Sequence, residues 1–172
     1  MKRLPRHLAT FLIAFVLLTV AAASASAQEY GRPGKFGLSA AVQAEQLDLL
    51  IPVWAGEKFV IVPAISVQHV SDAATDFGFG LGLRYMFKEG KARPYLGFRA
   101  GILMLSPDVG DSRTDFILGP SLGGEHFLDE HFSFGVEAQV NMAISDKGSY
   151  RFGNPDGTNI NTATTAMVTF YF

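Results

Sequence analysis

The 172-residue chain contains no cysteine. That excludes disulfides, thiolate zinc sites and lipid attachment at a cysteine. Its 14 Lys+Arg form no basic run, so the electrostatic footprint of a nucleic-acid binder is missing. Beyond residue 23 no stretch approaches the roughly 18 uninterrupted apolar residues that a membrane helix needs. A chain of this kind either stays in water or crosses a membrane as a closed barrel. Helices and barrels are the two ways to satisfy every backbone hydrogen bond in lipid.

What is present begins at the N-terminus. Lys2, Arg3 and Arg6 form a positive head, and an apolar stretch runs from about Leu8 to Ala23. Ala25-Ser26-Ala27 then offers the small-x-small site of a signal peptidase. These regions in this order predict a secretory signal over 1–27 and one domain over 28–172. The signal would carry three of the 14 Lys+Arg and none of the 16 Asp+Glu, leaving the remainder near −5.

Alternation dominates that remainder. From Phe132 to Ile144 one parity holds Phe132, Phe134, Val136, Ala138, Val140, Met142 and Ile144, and the other Ser133, Gly135, Glu137, Gln139, Asn141 and Ala143. A strand puts successive side chains on opposite faces, so one face is wholly apolar and the other small and polar. Phe77, Phe79, Leu81, Leu83, Tyr85 and Phe87 stand in the same way against Gly78, Gly80, Gly82, Arg84 and Met86. The pattern predicts eight strands, at 34–43, 47–54, 58–70, 76–88, 93–106, 115–128, 131–145 and 161–172. Most exceed the roughly 9–11 residues that a tilted strand needs to cross a bilayer.

Tight turns at 55–57, 89–91 and 129–130 alternate with longer polar loops at 71–75, 107–114 and 146–160. The connection near 44–46 is short and breaks that trend. The expected fold is all-β: an eight-stranded antiparallel up-and-down transmembrane β-barrel. The charge-free apolar faces suit lipid, and the Gly-, Ser-, Asn- and Gln-rich faces suit a narrow lumen better than a water-facing surface. Pro52, Pro63 and Pro120 oppose this reading, because proline cannot donate to a ladder and a closed barrel has no free edge. Trp54, Phe59, Tyr85, Phe87 and Phe132 lie beside the short turns, where an aromatic girdle at the headgroup level is expected.

The last segment reads TATTAMVTFYF, with Ala166, Val168, Phe170 and Phe172 alternating back from a terminal Phe. It resembles the C-terminal signal strand of bacterial outer-membrane proteins. GFGLGLRYMF and RPYLGFRAGIL look like the middle strands of small OmpA/OmpX-type and porin-like barrels. The resemblance covers nearly all of residues 30–172. It implies export through the periplasm to the outer membrane, recognition of the terminal strand by the barrel-assembly machinery, and contact with outer-membrane lipid and lipopolysaccharide. A monomer is expected.

Four inward positions are charged: Arg84, Arg99, Glu125 and Glu137. Strand counting puts all four near one height in the short-turn half. Two cations and two anions in a narrow lumen should pair, because pairing offsets desolvation. The expected result is a plug, with Arg99 and Glu137 as a coupled pair; a gated channel or proton relay is the alternative.

Some barrels of this kind modify lipid A through a His/Ser site at the outer rim. Here Gln139-Val140-Asn141-Met142-Ala143 has neither residue in that place. His69 and Ser71 lack a placed acid partner, and His126 and His131 are expected at the inner interface. GFGLG at 78–82 lies inside a strand without a helix after it, so it is not a phosphate loop. Asp108, Asp111 and Asp115 are read as a solvated acidic loop rather than a cation site. No metal, cofactor or enzymatic activity is expected. The expected role is structural or surface-interacting, through loops 71–75, 107–114 and 146–160, with narrow solute passage as the first alternative and a lipid A-modifying enzyme as the second.

Overall fold

The computed structural model describes residues 34–43, 46–70, 74–107 and 111–172, with side chains described except at 46, 68–70 and 74. The signal expected over 1–27 lies outside these residues. Among the described residues no helix is long and apolar enough to cross a membrane. Among the described residues all regular structure is strand: β1 (Gly37–Gln43), β2 (Gln46–Leu50), β3 (Val53–Trp54), β4 (Phe59–Val70), β5 (Ala74–Met86), β6 (Ala92–Pro107), β7 (Arg113–Phe127), β8 (Phe132–Ile144) and β9 (Thr158–Tyr171).

These nine segments occupy eight places in one closed antiparallel ring. β2 and β3 are halves of one strand: Leu50↔Ala64 and Val53↔Ile61 continue a single register along β4. The break falls at Pro52, which has no N–H to donate. Its carbonyl instead accepts from Gly37 N at 2.8 Å. Pro63 stays within a paired strand, opposite Leu81, and its carbonyl takes Ile51 N at 2.8 Å. Pro120 leaves a gap in the β7–β8 ladder between Leu118↔Met142 and Ser121↔Gln139. Two carbonyl-side accommodations and one ladder gap thus replace the free edge that proline ordinarily needs.

Registers fix the barrel's shape. A path across paired residues from Thr169 passes Ser39, Leu50, Ala64, Gly80, Gly101, Ile117 and Ala143, and returns to β9 at Asn159. The return is ten residues from the start, which sets the shear. With ordinary strand spacing and rise, this corresponds to a tilt of about 40°.

The faces are inverted relative to a water-soluble barrel. Phe79, Leu81, Leu83, Leu96, Phe98, Leu122, Val136 and Val140 are exposed on the outside, while Ser121, Ser133, Gln139, Asn141 and Thr169 are buried inside. A continuous apolar belt of this extent exceeds what a water-soluble monomer exposes, and fits a bilayer. Phe59, Tyr85 and Phe87 form one aromatic run at the short-turn end, with ring centroids 5.1 and 5.8 Å apart. Phe132 sits opposite Phe170 on the same face. Trp54 departs from the expected girdle. It pairs with Val60, whose side chain is buried, and its ring lies 6.5 Å from Tyr171 inside the barrel. Continuing the strand's register through Pro52 gives Trp54 the inward parity.

Candidate functional site

Inward side chains form tiers along the barrel axis. The floor, at the short-turn end, is apolar and aromatic. Met86, Tyr95, Phe127 and Tyr171 are buried there, and Phe127 stacks on Tyr171 at 5.5 Å. Arg93 lies between two rings, 5.3 Å from Trp54 and 4.5 Å from Phe127, and its strand position faces Glu125. Such stacking suits the planar, weakly hydrated guanidinium.

Glu125 belongs to this floor. It is buried, and its Oε1 accepts from the hydroxyls of Ser133 and of Tyr171, the latter at 2.8 Å. Arg84 and Glu137 form the next tier. Their charged atoms lie 3.3 Å apart, and both side chains are buried. Tyr95 OH donates to Glu137 Oε2 at 2.7 Å, and Gln139 Nε2 donates to Oε1 at 2.8 Å. Arg84 also stands 4.8 Å over the Tyr95 ring. Each carboxylate oxygen thus has a donor, which is what makes a buried ion pair tolerable.

Arg99 lies higher, beside a cavity of about 90 Å³ that also meets Asp48, Ser66, Gln139 and Thr165. The cavity exists because the inward positions of β5 carry no side chain at Gly78, Gly80 and Gly82. That volume holds several waters.

The upper mouth is covered by the β8–β9 connection. Arg151 pairs there with Asp76 on β5 and donates from Nε to Asp115 on β7 at 3.2 Å. Asp115 is buried and also accepts from Ser149 Oγ at 2.6 Å and Asp146 N at 2.9 Å. A left-handed Asp156 (φ 58°) and Gly153 (φ 73°) let the loop fold back over the mouth.

The four charges singled out in the sequence all point inward, but not as one coplanar cluster. Arg84, not Arg99, is the ion-pair partner of Glu137. Glu125 sits below that pair and Arg99 above it. Counting residues from the turns ignores tilt, which raises each successive strand by about 3 Å on going round the ring. Arg93 shares the inward parity of Tyr95 and Arg99, so the strand pattern alone could have found it. The latch at Arg151 had no periodic signal, since it comes from a loop.

Asp115 is not part of an exposed acidic loop, because it turns inward. Asp111 is exposed, and Asp108 lies outside the described residues. So do Ser71 and the side chain of His69. His126 and His131 stack on Phe134 and Phe170 at the short-turn end, at 5.2 and 5.8 Å. Among the described residues no group of three or more His, Cys, Asp and Glu could hold a metal ion.

No family model matches the chain. No curated protein matches it either. Solved structures do. The N-terminal β-barrel domain of Pseudomonas aeruginosa OprF aligns with a TM-score of 0.57 at 12% identity, covering 80% of this chain and 95% of that one. Neisserial surface protein A (NspA) aligns at 0.52 and 16% identity, covering 80% and 93%. At such identities the likeness is one of fold. The shared fold is a small, closed, eight-stranded antiparallel β-barrel, and in this chain its outer face carries the apolar belt that fits a bilayer.

Proposed function

We propose that the chain is an outer-membrane barrel with a structural or surface-interaction role, and that its lumen does not conduct. The observation that carries this reading is the stack of buried charge at the short-turn end. The Arg84–Glu137 pair, bonded to Tyr95 and Gln139, lies directly over the Glu125–Ser133–Tyr171 group. An ion would have to displace a paired, hydrogen-bonded layer and then an aromatic floor.

Support for the location comes from the signal-like residues 1–27 and the terminal aromatic strand. On this reading 28–172 is the barrel, the partners are outer-membrane lipid and lipopolysaccharide, and Ala166, Val168, Phe170 and Phe172 present the strand read by the barrel-assembly machinery. Phe172 is exposed and stacks on Phe36 at 5.4 Å.

The test is planar-bilayer recording on the refolded full barrel, with negligible single-channel current expected. A steady, ion-selective current whose selectivity shifts in Glu137→Gln would overturn the plug and leave a narrow channel. Location is tested by outer-membrane fractionation and by a heat-dependent gel shift; recovery as a soluble periplasmic protein defeats it.

A further inference from the structure

The registers place a second polar tier above the Arg84–Glu137 pair. The path of paired residues from Asp48 passes Ser66 and Gly78 and reaches β6 at Leu103. Tilt lifts this path by about 3 Å per strand, so Leu103 stands about 9 Å above Asp48. A residue climbs about 2.5 Å at this tilt, which puts Arg99, further down β6, level with Asp48. In the other direction the path descends from Asp48 through Ala41 and Met167 to Gly135 on β8. The same correction brings Thr165 on β9 and Gln139 on β8 to that level. Two opposite charges and two polar side chains thus share one height, and all four line the cavity of about 90 Å³.

Two of these side chains are incompletely bonded. Gln139 is buried, and its Nε2 donates to Glu137 Oε1 at 2.8 Å and to Thr165 Oγ1 at 3.1 Å. Thr165 donates in turn to Gln43 Oε1 at 3.1 Å. These bonds fix which way the amide points. Its Oε1 is left as a buried acceptor without a hydrogen-bond partner. Such an acceptor calls for a donor from a ligand or from water. Among the described residues no ion pair or hydrogen bond holds the Arg99 guanidinium. The carboxylates that act on it are Glu137, already paired with Arg84, and Asp48.

The charges of the two tiers cancel, Arg84 against Glu137 and Arg99 against Asp48. A lone anion on Arg99 would meet the fields of Glu137 and Asp48. A lone cation at Gln139 Oε1 would meet those of Arg84 and Arg99. A small molecule that carries both signs escapes either repulsion. Ala41, Leu50, Val62 and Ala64 give the same cavity an apolar wall. Asp48, Ser66 and Arg99 are half-exposed, so solvent reaches this tier. The volume holds about six waters, which is room for about as many non-hydrogen atoms.

We propose that this tier binds a zwitterionic α-amino acid with a small side chain, of the size of glycine or alanine. The carboxylate takes the planar fork of Arg99. The ammonium group donates to Gln139 Oε1 and faces Asp48, and the side chain lies against the apolar wall. The Arg84–Glu137 pair is the floor of the site.

The test is amide NMR on the refolded full barrel in dodecylphosphocholine micelles, titrated with L-alanine. Shifts at the amides of Asp48, Arg99, Gln139 and Thr165 are expected to saturate in the millimolar range, while those of the floor residues Phe127 and Tyr171 stay still. Sodium acetate and methylammonium chloride each carry half of the charge pattern, and neither should give saturating shifts there. Arg99→Gln should weaken alanine binding at least about tenfold. Gly80→Leu should abolish it. A Cβ at position 80 meets Ala64 Cβ at 3.4 Å and Ala100 O at 3.5 Å, which are ordinary contacts, and the rest of the side chain fills the cavity. Should that variant fail to refold, the wild-type titrations decide alone. Shifts that stay linear in alanine, or that saturate only within 146–157, overturn the proposal. Acetate or methylammonium binding as well as alanine overturns it too, as does unchanged affinity in Arg99→Gln. No current is recorded, so the outcome is separate from that for the plug.

Discussion

The two halves of the wall are built differently. β5 and β6 pair without interruption from Ala74↔Pro107 to Met86↔Tyr95, and β6 and β7 from Ala92↔His126 to Leu105↔Arg113. β2 and β4 pair only from Asp48↔Ser66 to Leu50↔Ala64, and Pro52 interrupts the strand before β3 resumes it. The long ladders also carry the polar machinery: Arg84 on β5, Tyr95 on β6, Glu125 on β7 and Glu137 on β8. The short side contributes mainly packing, through Ala41, Leu50, Val60 and Val62. Closure of the ring and assembly of the buried charged layer are therefore separate tasks. A few pairs suffice to close the ring, whereas the Arg84–Glu137 pair and its Tyr95 donor draw on three long strands.

The largest expected effect breaks the plug on the tall side. Glu137→Ala strands the Arg84 charge in the lumen, and should cost about 3–5 kcal/mol in urea unfolding from vesicles. Arg84→Met with Glu137→Leu should recover most of that loss; an additive double variant would mean that the two residues are not coupled.

Next come outer-face charges, which compare the halves directly. Arginine at Val136 or Leu81 should cost roughly 2–4 kcal/mol near the bilayer midplane. At Leu47, one residue from the end of the β1–β2 pairing, the long side chain can snorkel past the end of the hairpin, and the loss should stay under about 1 kcal/mol. Equal losses at all three sites would remove the distinction between the walls.

A smaller contrast concerns local opening. Amides of β1 and β2 should exchange with deuterium about tenfold faster than those at the centre of β5–β6, a difference of about 1.4 kcal/mol in opening free energy. Uniform protection would show the short seam to be as firm as the rest.

Smallest in free energy is the latch. Arg151→Gln should change global stability by under about 1 kcal/mol, since Arg151 is partly exposed and the buried Asp115 keeps Ser149 Oγ and Asp146 N as donors. It should nonetheless speed protease cleavage within 146–157 of vesicle-inserted protein. Unaltered cleavage would deny Arg151 a role in holding the loop.

Much of the fold is legible in single strands. The parity of Phe132–Ile144 and of Phe77–Phe87 places lipid and lumen faces correctly, because a two-residue period needs no knowledge of neighbours. Expected strand bounds fall within about three residues of those observed. The terminal strand begins at Thr158 rather than 161, since Thr and Asn there continue the alternation without apolar emphasis. Trp54 escapes a reading by strand because Pro52 hides the continuity of its register. The partner of Glu137 escapes it because height depends on tilt, which no single strand reveals.

Sequence alone determined that the chain alternates, that one face is apolar and the other small and polar, and which charges share the inner parity. Those properties are local, being written in side-chain chemistry and a period of two. Tertiary structure alone decided the shear of ten, and with it the pairing of Arg84 with Glu137, the hydrogen bond of Tyr171 to Glu125, the reach of Arg151 to two strands and the short β1–β2 pairing. Each of these depends on which residues meet across a closed ring, and a ring's register is fixed by all of its strands together.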